Sequence, residues 1–317
     1  MSDRVQIGDV LNEAFQFGYQ RWTTVFRFAW LPIVLSMLVA YGVGYLVLDM
    51  QAVEAASDSE STGDLSRLLK APPGLAVLIG LAGGVLSLAI FSGPMASIYR
   101  LVALGEERPG FAQLRFDGPA QRVFWGQLIL SSLSLAVSFV AVILMLALNG
   151  FGLGDVFNAG SNFVSLVSAA SNDPAFQPTQ AQIEQMAPIG AAFLGVIVAA
   201  PVLIYLNIKL APFLPGSAAK NRLFLFGAFR MTTGYFWLIF GLYVLFILAM
   251  LVVAFVYMLV MSFLEVMAGL GGGGALALIS GLFGLFSVAV GLAYQVFVIG
   301  VQMSLQAIVY RRLETGQ

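Results

Sequence analysis

Long apolar runs without a single charge dominate this chain and dictate what it can become. They cover Phe28–Leu48, Gly74–Tyr99, Val123–Asn149, Pro188–Ile208, Met231–Leu264 and Ala275–Tyr310. A helix crosses a hydrocarbon core of roughly 30 Å with about 20 apolar residues, and it satisfies every backbone polar group within itself. Each run is long enough. The sequence therefore predicts an all-α fold, a polytopic transmembrane helical bundle of six spans forming one domain over residues 1–317.

The last two runs need a separate argument. Met231–Leu264 has 34 residues and the charge-free stretch Val266–Tyr310 has 45, so either has room for an extra crossing. Gly269 and Gly271–Gly274 interrupt the second with a turn, which a lipid-facing helix does not tolerate. From Ala275 to Tyr310 there is no Pro, Asn-Gly or Asp-Gly punctuation, so one helix that outruns the bilayer is expected. The first run is too long for the apolar core of a cleaved signal peptide, and 27 residues with three arginines precede it.

Composition removes whole classes of function. Hydrophobic residues make up 60% of the chain and charged residues only 10%. A soluble domain carries about 25% charged residues, so a soluble enzyme, a disordered chain and a nucleic-acid binder are all excluded. The chain has no cysteine and no histidine. It therefore has no thiolate and no imidazole for nucleophilic, acid–base or metal chemistry. No catalytic activity, no cofactor and no metal site is expected.

The placement of charge predicts orientation. Thirteen of the 15 Lys and Arg residues fall on one side of the six-span scheme, and only Arg67 and Lys70 fall on the other. Positive residues concentrate on the cytoplasmic side, so both termini are expected there. Seven of the 16 acids share that side, which makes the two faces +6 and −7 beneath a net charge of −1. Trp22, Trp30, Trp125 and Trp237 all lie near the cytoplasmic ends of spans, where an amphipathic indole prefers the headgroup zone. The segments 49–73 and 150–187 become extracytoplasmic loops. Neither holds an Asn-x-Ser/Thr acceptor, which favours a bacterial inner membrane.

A weak threefold repeat runs along the cytoplasmic side. An interfacial amphipathic stretch precedes each odd-numbered span: Ile7–Gln20, Arg108–Trp125 and Ser217–Thr233. The first puts Ile7, Val10, Leu11, Ala14, Phe15 and Gly18 on one helical face. The second holds Phe111, Leu114 and Phe116 and is broken by Pro109 and Pro119, while the third starts at Ser217 as a candidate N-cap. Basic residues near an anionic leaflet contribute about 1 kcal/mol each, and aromatic side chains insert beside them. Arg115, Arg122, Lys220, Arg222 and Arg230 are accordingly the candidate contacts for lipid headgroups.

Two polar stripes are the other candidates. Gln127, Ser131, Ser134 and Ser138 line one face of span three. Ser280, Gly284, Ser287, Gly291, Gln295, Gln302 and Gln306 line one face of span six. Small and amide side chains at such spacing pack helices together. The same stripes would suit a conduit for a neutral or amphipathic substrate. No Asp, Glu, Lys or Arg lies inside any span, which argues against proton coupling, voltage sensing and a carboxylate sodium site. Gly152-Leu153-Gly154-Asp155 matches the Gly-x-Gly-Asp string of intramembrane aspartyl proteases, but Asp155 lies in an outer loop without a partner carboxylate and reads as a turn. Gly80, Gly83, Gly84 and Ser87, with Pro94 beyond, suggest close packing and a kink in span two.

The opening Ile7-Gly8-Asp9-Val10-Leu11-Asn12-Glu13-Ala14-Phe15, followed by Gln20-Arg21-Trp22, resembles a recurring start. It and the inner stretch Phe226–Trp237 are similar to six-span bacterial membrane proteins related to the membrane domain of glycerophosphodiester phosphodiesterases. The resemblance implies the six-span fold and the interfacial segments. It implies no activity here, because the phosphodiesterase's acid–base and metal-binding residues have no counterpart in these residues.

The expected function is thus that of a non-enzymatic inner-membrane protein, an accessory, scaffold or lipid-interacting subunit. Its partners would be membrane lipids, anionic on the cytoplasmic side, with a membrane protein or a second copy of the chain, and no nucleic acid. The alternative is a transporter, channel or flippase-like protein that uses the stripes of spans three and six.

Overall fold

The computed structural model describes residues 7–48, 70, 72–107, 114–172, 177–269 and 275–316. Helix is the only regular structure among them apart from an isolated pairing in which Lys70 N–H donates to the Val47 carbonyl. In chain order the helices are α1 (Ile7–Gln20), α2 (Trp22–Val47), α3 (Pro73–Leu104), α4 (Gly118–Leu148) and α5 (Leu153–Asn172). They continue with α6 (Gln180–Glu184), α7 (Ala187–Lys209), α8 (Phe213–Lys220), α9 (Leu225–Met231), α10 (Phe236–Gly269) and α11 (Ala275–Thr315). Six of the helical segments are long and apolar enough to cross a membrane, in agreement with the predicted all-α, six-span class. The 41 residues of α11 make one continuous helix, about 60 Å at 1.5 Å per residue. The glycine run 270–274 lies outside the described residues.

Pro32, Pro94 and Pro201 all sit inside spanning helices. Membrane helices tolerate such prolines because neighbouring groups satisfy the freed carbonyls. Near Pro94 the serines bond backward along the helix. Ser92 Oγ donates to the Ala89 carbonyl at 2.7 Å, and Ser97 Oγ to the Gly93 carbonyl at 2.9 Å.

The chain divides into two compact units. Unit one comprises Met1–Leu35, Ala89–Gly126 and Ile208–Gln317. It holds nearly all of the buried side chains, with α11 at their centre. Val301, Leu305, Ala307 and Ile308 are fully buried there. Helix α1 packs on α11 through its predicted apolar face, of which Val10, Ala14 and Gly18 are the buried members. Ser304 Oγ lies 3.3 Å from the Ala14 carbonyl, and the Phe15 and Phe297 rings meet at 6.2 Å. Helix α10 runs along α11, where Tyr257 and Tyr294 stack with ring centres 4.1 Å apart. Tyr99 of α3 donates its hydroxyl to Gln306 Oε1 at 2.6 Å.

Unit two comprises Ser36–Leu88 and Gln127–Asn207. Within it, Gly195 of α7 lies against the backbone of α4 at Ala141 and Val142. The expected outer loop 150–187 is largely helical. Helix α5 occupies Leu153–Asn172, with Asp155 at its start accepting from Gly152 N–H at 2.7 Å. Asp155 is thus part of a helix-opening turn. Thr179 caps α6 through a reciprocal pair with Gln182, its own N–H donating to Gln182 Oε1 at 2.8 Å. The 49–69 part of the other outer loop, with its acids, lies outside the described residues, as do Asp173 and Pro174.

Two interfacial expectations change in detail. Pro119 does not break the second stretch, because it falls in the first turn of α4, where no helical N–H is lost. Asp117 Oδ1 accepts from Ala120 N–H there at 3.2 Å, so residues 118–125 are the opening turns of the spanning helix itself. Arg108 and Phe111 lie outside the described residues. The third stretch is two short helices. Ser217 is no N-cap: it lies within α8, fully buried, and donates to the Phe213 carbonyl while accepting from Phe224 N–H. Asn221 ends α8 in the left-handed conformation, φ 48°, which an Asn side chain tolerates.

Candidate functional site

The basic end of unit one is laced by ion pairs. Arg27 Nη2 lies 2.6 Å from Glu107 Oε1, and Arg100 pairs with Glu106 while also donating to the Ala218 carbonyl at 3.1 Å. Glu13 on α1 binds Arg311 through one oxygen and Arg312 through the other, the latter at 3.1 Å. Lys220 lies 2.9 Å from Glu314 and over the Phe224 ring at 4.5 Å. These pairs are partly exposed, so each contributes about 1 kcal/mol or less.

Against that background the candidate headgroup contacts separate into two kinds. The charge of Lys220 is already engaged by Glu314. Arg115, Arg122, Arg222 and Arg230 are exposed and make no ion pair with a described residue. Gly118, at the start of α4, faces the Asn221 side chain, which places the segment bearing Arg115 and Arg122 beside that bearing Arg222. Large apolar side chains stand exposed among these arginines: Phe226 at 85%, Trp237 at 77%, and Trp125, Phe116 and Leu223 at nearly half. In water such a rim would be costly. At a bilayer surface, guanidinium and indole are the groups that belong there.

The polar stripes are distributed differently. In unit two, Gln127, Ser134 and Ser138 are half-buried and Ser131 is exposed. In unit one, Gln295 and Gln302 are exposed, and Gln306 is half-buried and engaged by Tyr99. Ser287 bonds back to the Phe283 carbonyl at 2.9 Å. Each stripe is thus described only within its own unit, and the Ser280 side chain lies outside the description. Of the glycines read as a packing face in span two, Gly83 abuts Val43, while Gly80 and Gly84 have open space.

Elsewhere the spans expose apolar side chains in quantity. Leu78, Val140, Phe193, Val252 and Val288 are all more than 60% exposed, on helices with scarcely a charge. Only a hydrocarbon solvent makes that surface stable. The fold thus defines a multi-pass integral membrane protein. The chain matches no model of a known protein family, no curated protein and no solved structure. Its function must therefore be argued from its own residues.

Proposed function

We propose that this protein is a non-enzymatic accessory or scaffold subunit of a bacterial inner membrane, oriented with both termini in the cytoplasm, whose basic–aromatic rim engages anionic lipid. The observation that carries this reading is the rim itself. Arg115, Arg122, Arg222 and Arg230 stand exposed and unpaired with any described residue, interleaved with exposed Phe226, Trp125 and Trp237. The lack of histidine and cysteine, and of any carboxylate inside the spans, supports a binding role over a catalytic one. With this reading goes kinship to the six-span proteins that the stretches Ile7–Phe15 and Phe226–Trp237 resemble.

Four arginines near an anionic surface contribute about 1 kcal/mol each before screening. The lipid shell of the reconstituted protein, read with spin-labelled lipids, should therefore prefer phosphatidylglycerol over phosphatidylcholine by roughly threefold. Replacing all four arginines with Gln should bring the ratio close to one, as should about 1 M salt. A wild-type protein without preference would sink the proposal.

A further inference from the structure

We infer that a cleft at the basic end of unit one is a binding site for a phosphate-bearing headgroup. The cleft encloses about 280 Å³. Its polar lining comes from Glu13, Gln16, Gln20 and Arg21 at the end of α1 and from Arg311 of α11. Glu13, Gln16 and Gln20 follow at i, i+3 and i+7, so one helical face presents all three. Phe17, Leu101 and Ile308 supply the apolar wall. None of these residues belongs to the arginine rim, and the inference stands independently of it.

Charge balance selects an anion. Glu13 is the carboxylate of the lining, and both its oxygens are taken, by Arg311 and by Arg312. The neighbouring acids are equally engaged, Glu106 by Arg100 and Glu107 by Arg27. Arg311 also donates to the Val102 carbonyl at 3.2 Å. Arg21 occupies the single-residue break between α1 and α2, exposed, and makes no ion pair with a described residue. Arg311 and Arg312 thus share one carboxylate, and Arg21 lines the same cleft, so this end of the cleft carries a net excess of two positive charges. A guanidinium fork matches two phosphate oxygens at once, and the Gln16 and Gln20 amides can donate to a third or bind a headgroup hydroxyl.

Size and polarity narrow the ligand. Pockets for small ligands begin at about 300 Å³, so this cleft admits a small headgroup and leaves the acyl chains outside. The apolar wall suits the glycerol and ester portion of a lipid or of a soluble phosphate ester.

The test uses the full chain, purified in mild detergent and stripped of lipid. Separate arms receive phosphatidylglycerol, phosphate-free diacylglycerol, glycerol phosphate and inorganic phosphate. Native mass spectrometry reads retained lipid, and thermal shift reads the soluble phosphates. We expect one phosphatidylglycerol retained per chain and no diacylglycerol. Occupancy should fall roughly fivefold in Arg21→Gln, recover in part in Arg21→Lys, and fall about twofold in Gln20→Leu. If the soluble phosphates bind through Arg21 and no lipid is retained, the oxyanion site stands and its source is soluble. The double variant Arg222→Gln with Arg230→Gln, which alters the rim alone, should retain lipid as the parent does. Binding unchanged in Arg21→Gln, equal retention of diacylglycerol, equal loss in the rim variant, or binding of none of the four probes would overturn the assignment.

Discussion

Gly195 is a position at which one added carbon would strike the backbone of a neighbouring helix. A Cβ there would stand 2.6 Å from Val142 Cα and 3.0 Å from the Ala141 carbonyl oxygen. These are backbone atoms, which cannot swing aside as a side chain can. Gly195→Leu should therefore push α7 off α4 and destabilise the protein by about 2–3 kcal/mol. Gly190, with open space around its Cβ position, should accept Ala without loss. Heating followed by size-exclusion chromatography in detergent reads both. This glycine was not legible in the sequence, where the denser cluster Gly80, Gly83 and Gly84 drew attention instead. A run of small residues says that close approach is permitted. Which glycine is used depends on the partner helix, and only Gly83 of that cluster has a close neighbour. Ser217 teaches the same lesson. Its residue type suits an N-cap, yet the serine is buried in mid-helix, where its hydroxyl serves the Phe213 carbonyl and Phe224 N–H.

Helix α1 shows what periodicity can and cannot say. Its apolar face was readable because Val10, Ala14 and Gly18 recur every four residues, and all three are buried. Val10 is fully buried on the face that packs against α11. Val10→Asp would bury an unpaired carboxylate, at a cost of several kcal/mol, so α1 should detach from α11. Trypsin cleavage at Arg21 should then accelerate by at least about tenfold. An unchanged cleavage rate would mean that α1 is held some other way. The polar face of α1 was equally visible but uninterpretable. Nothing local to α1 singles out Glu13, because its partner Arg311 lies 298 residues further along the chain. Helix α5 was missed for another reason: glycine, serine and asparagine lower its helix propensity. The spacing of Val156, Ala159, Phe163 and Leu166 was nevertheless helical, and Ala159 is buried.

Across the whole molecule, packing and hydropathy are unevenly shared. Most fully buried side chains belong to unit one, around α11, whereas the spans present Leu, Val and Phe outward. The span count was legible because lipid imposes one strict demand, a helix of about 20 uncharged residues, and composition either meets it or does not. Pairing among helices carries no such signature, since any apolar face can meet any other. That Arg115, Arg122, Arg222 and Arg230 lie outside the apolar runs is legible in the sequence, while the engagement of Lys220 by Glu314 required the fold. The central claim is that this basic–aromatic rim faces the cytoplasmic leaflet while the acidic loops face out. The natural absence of cysteine makes a direct test available. Glu184 and Arg222 are both exposed and suit single replacements, Glu184→Cys and Arg222→Cys. With a membrane-impermeant maleimide on cells whose inner membrane is intact, Glu184→Cys should label at once and Arg222→Cys only after permeabilisation. Labelling of Arg222→Cys in intact cells, or of Glu184→Cys only once the membrane is opened, would contradict the account.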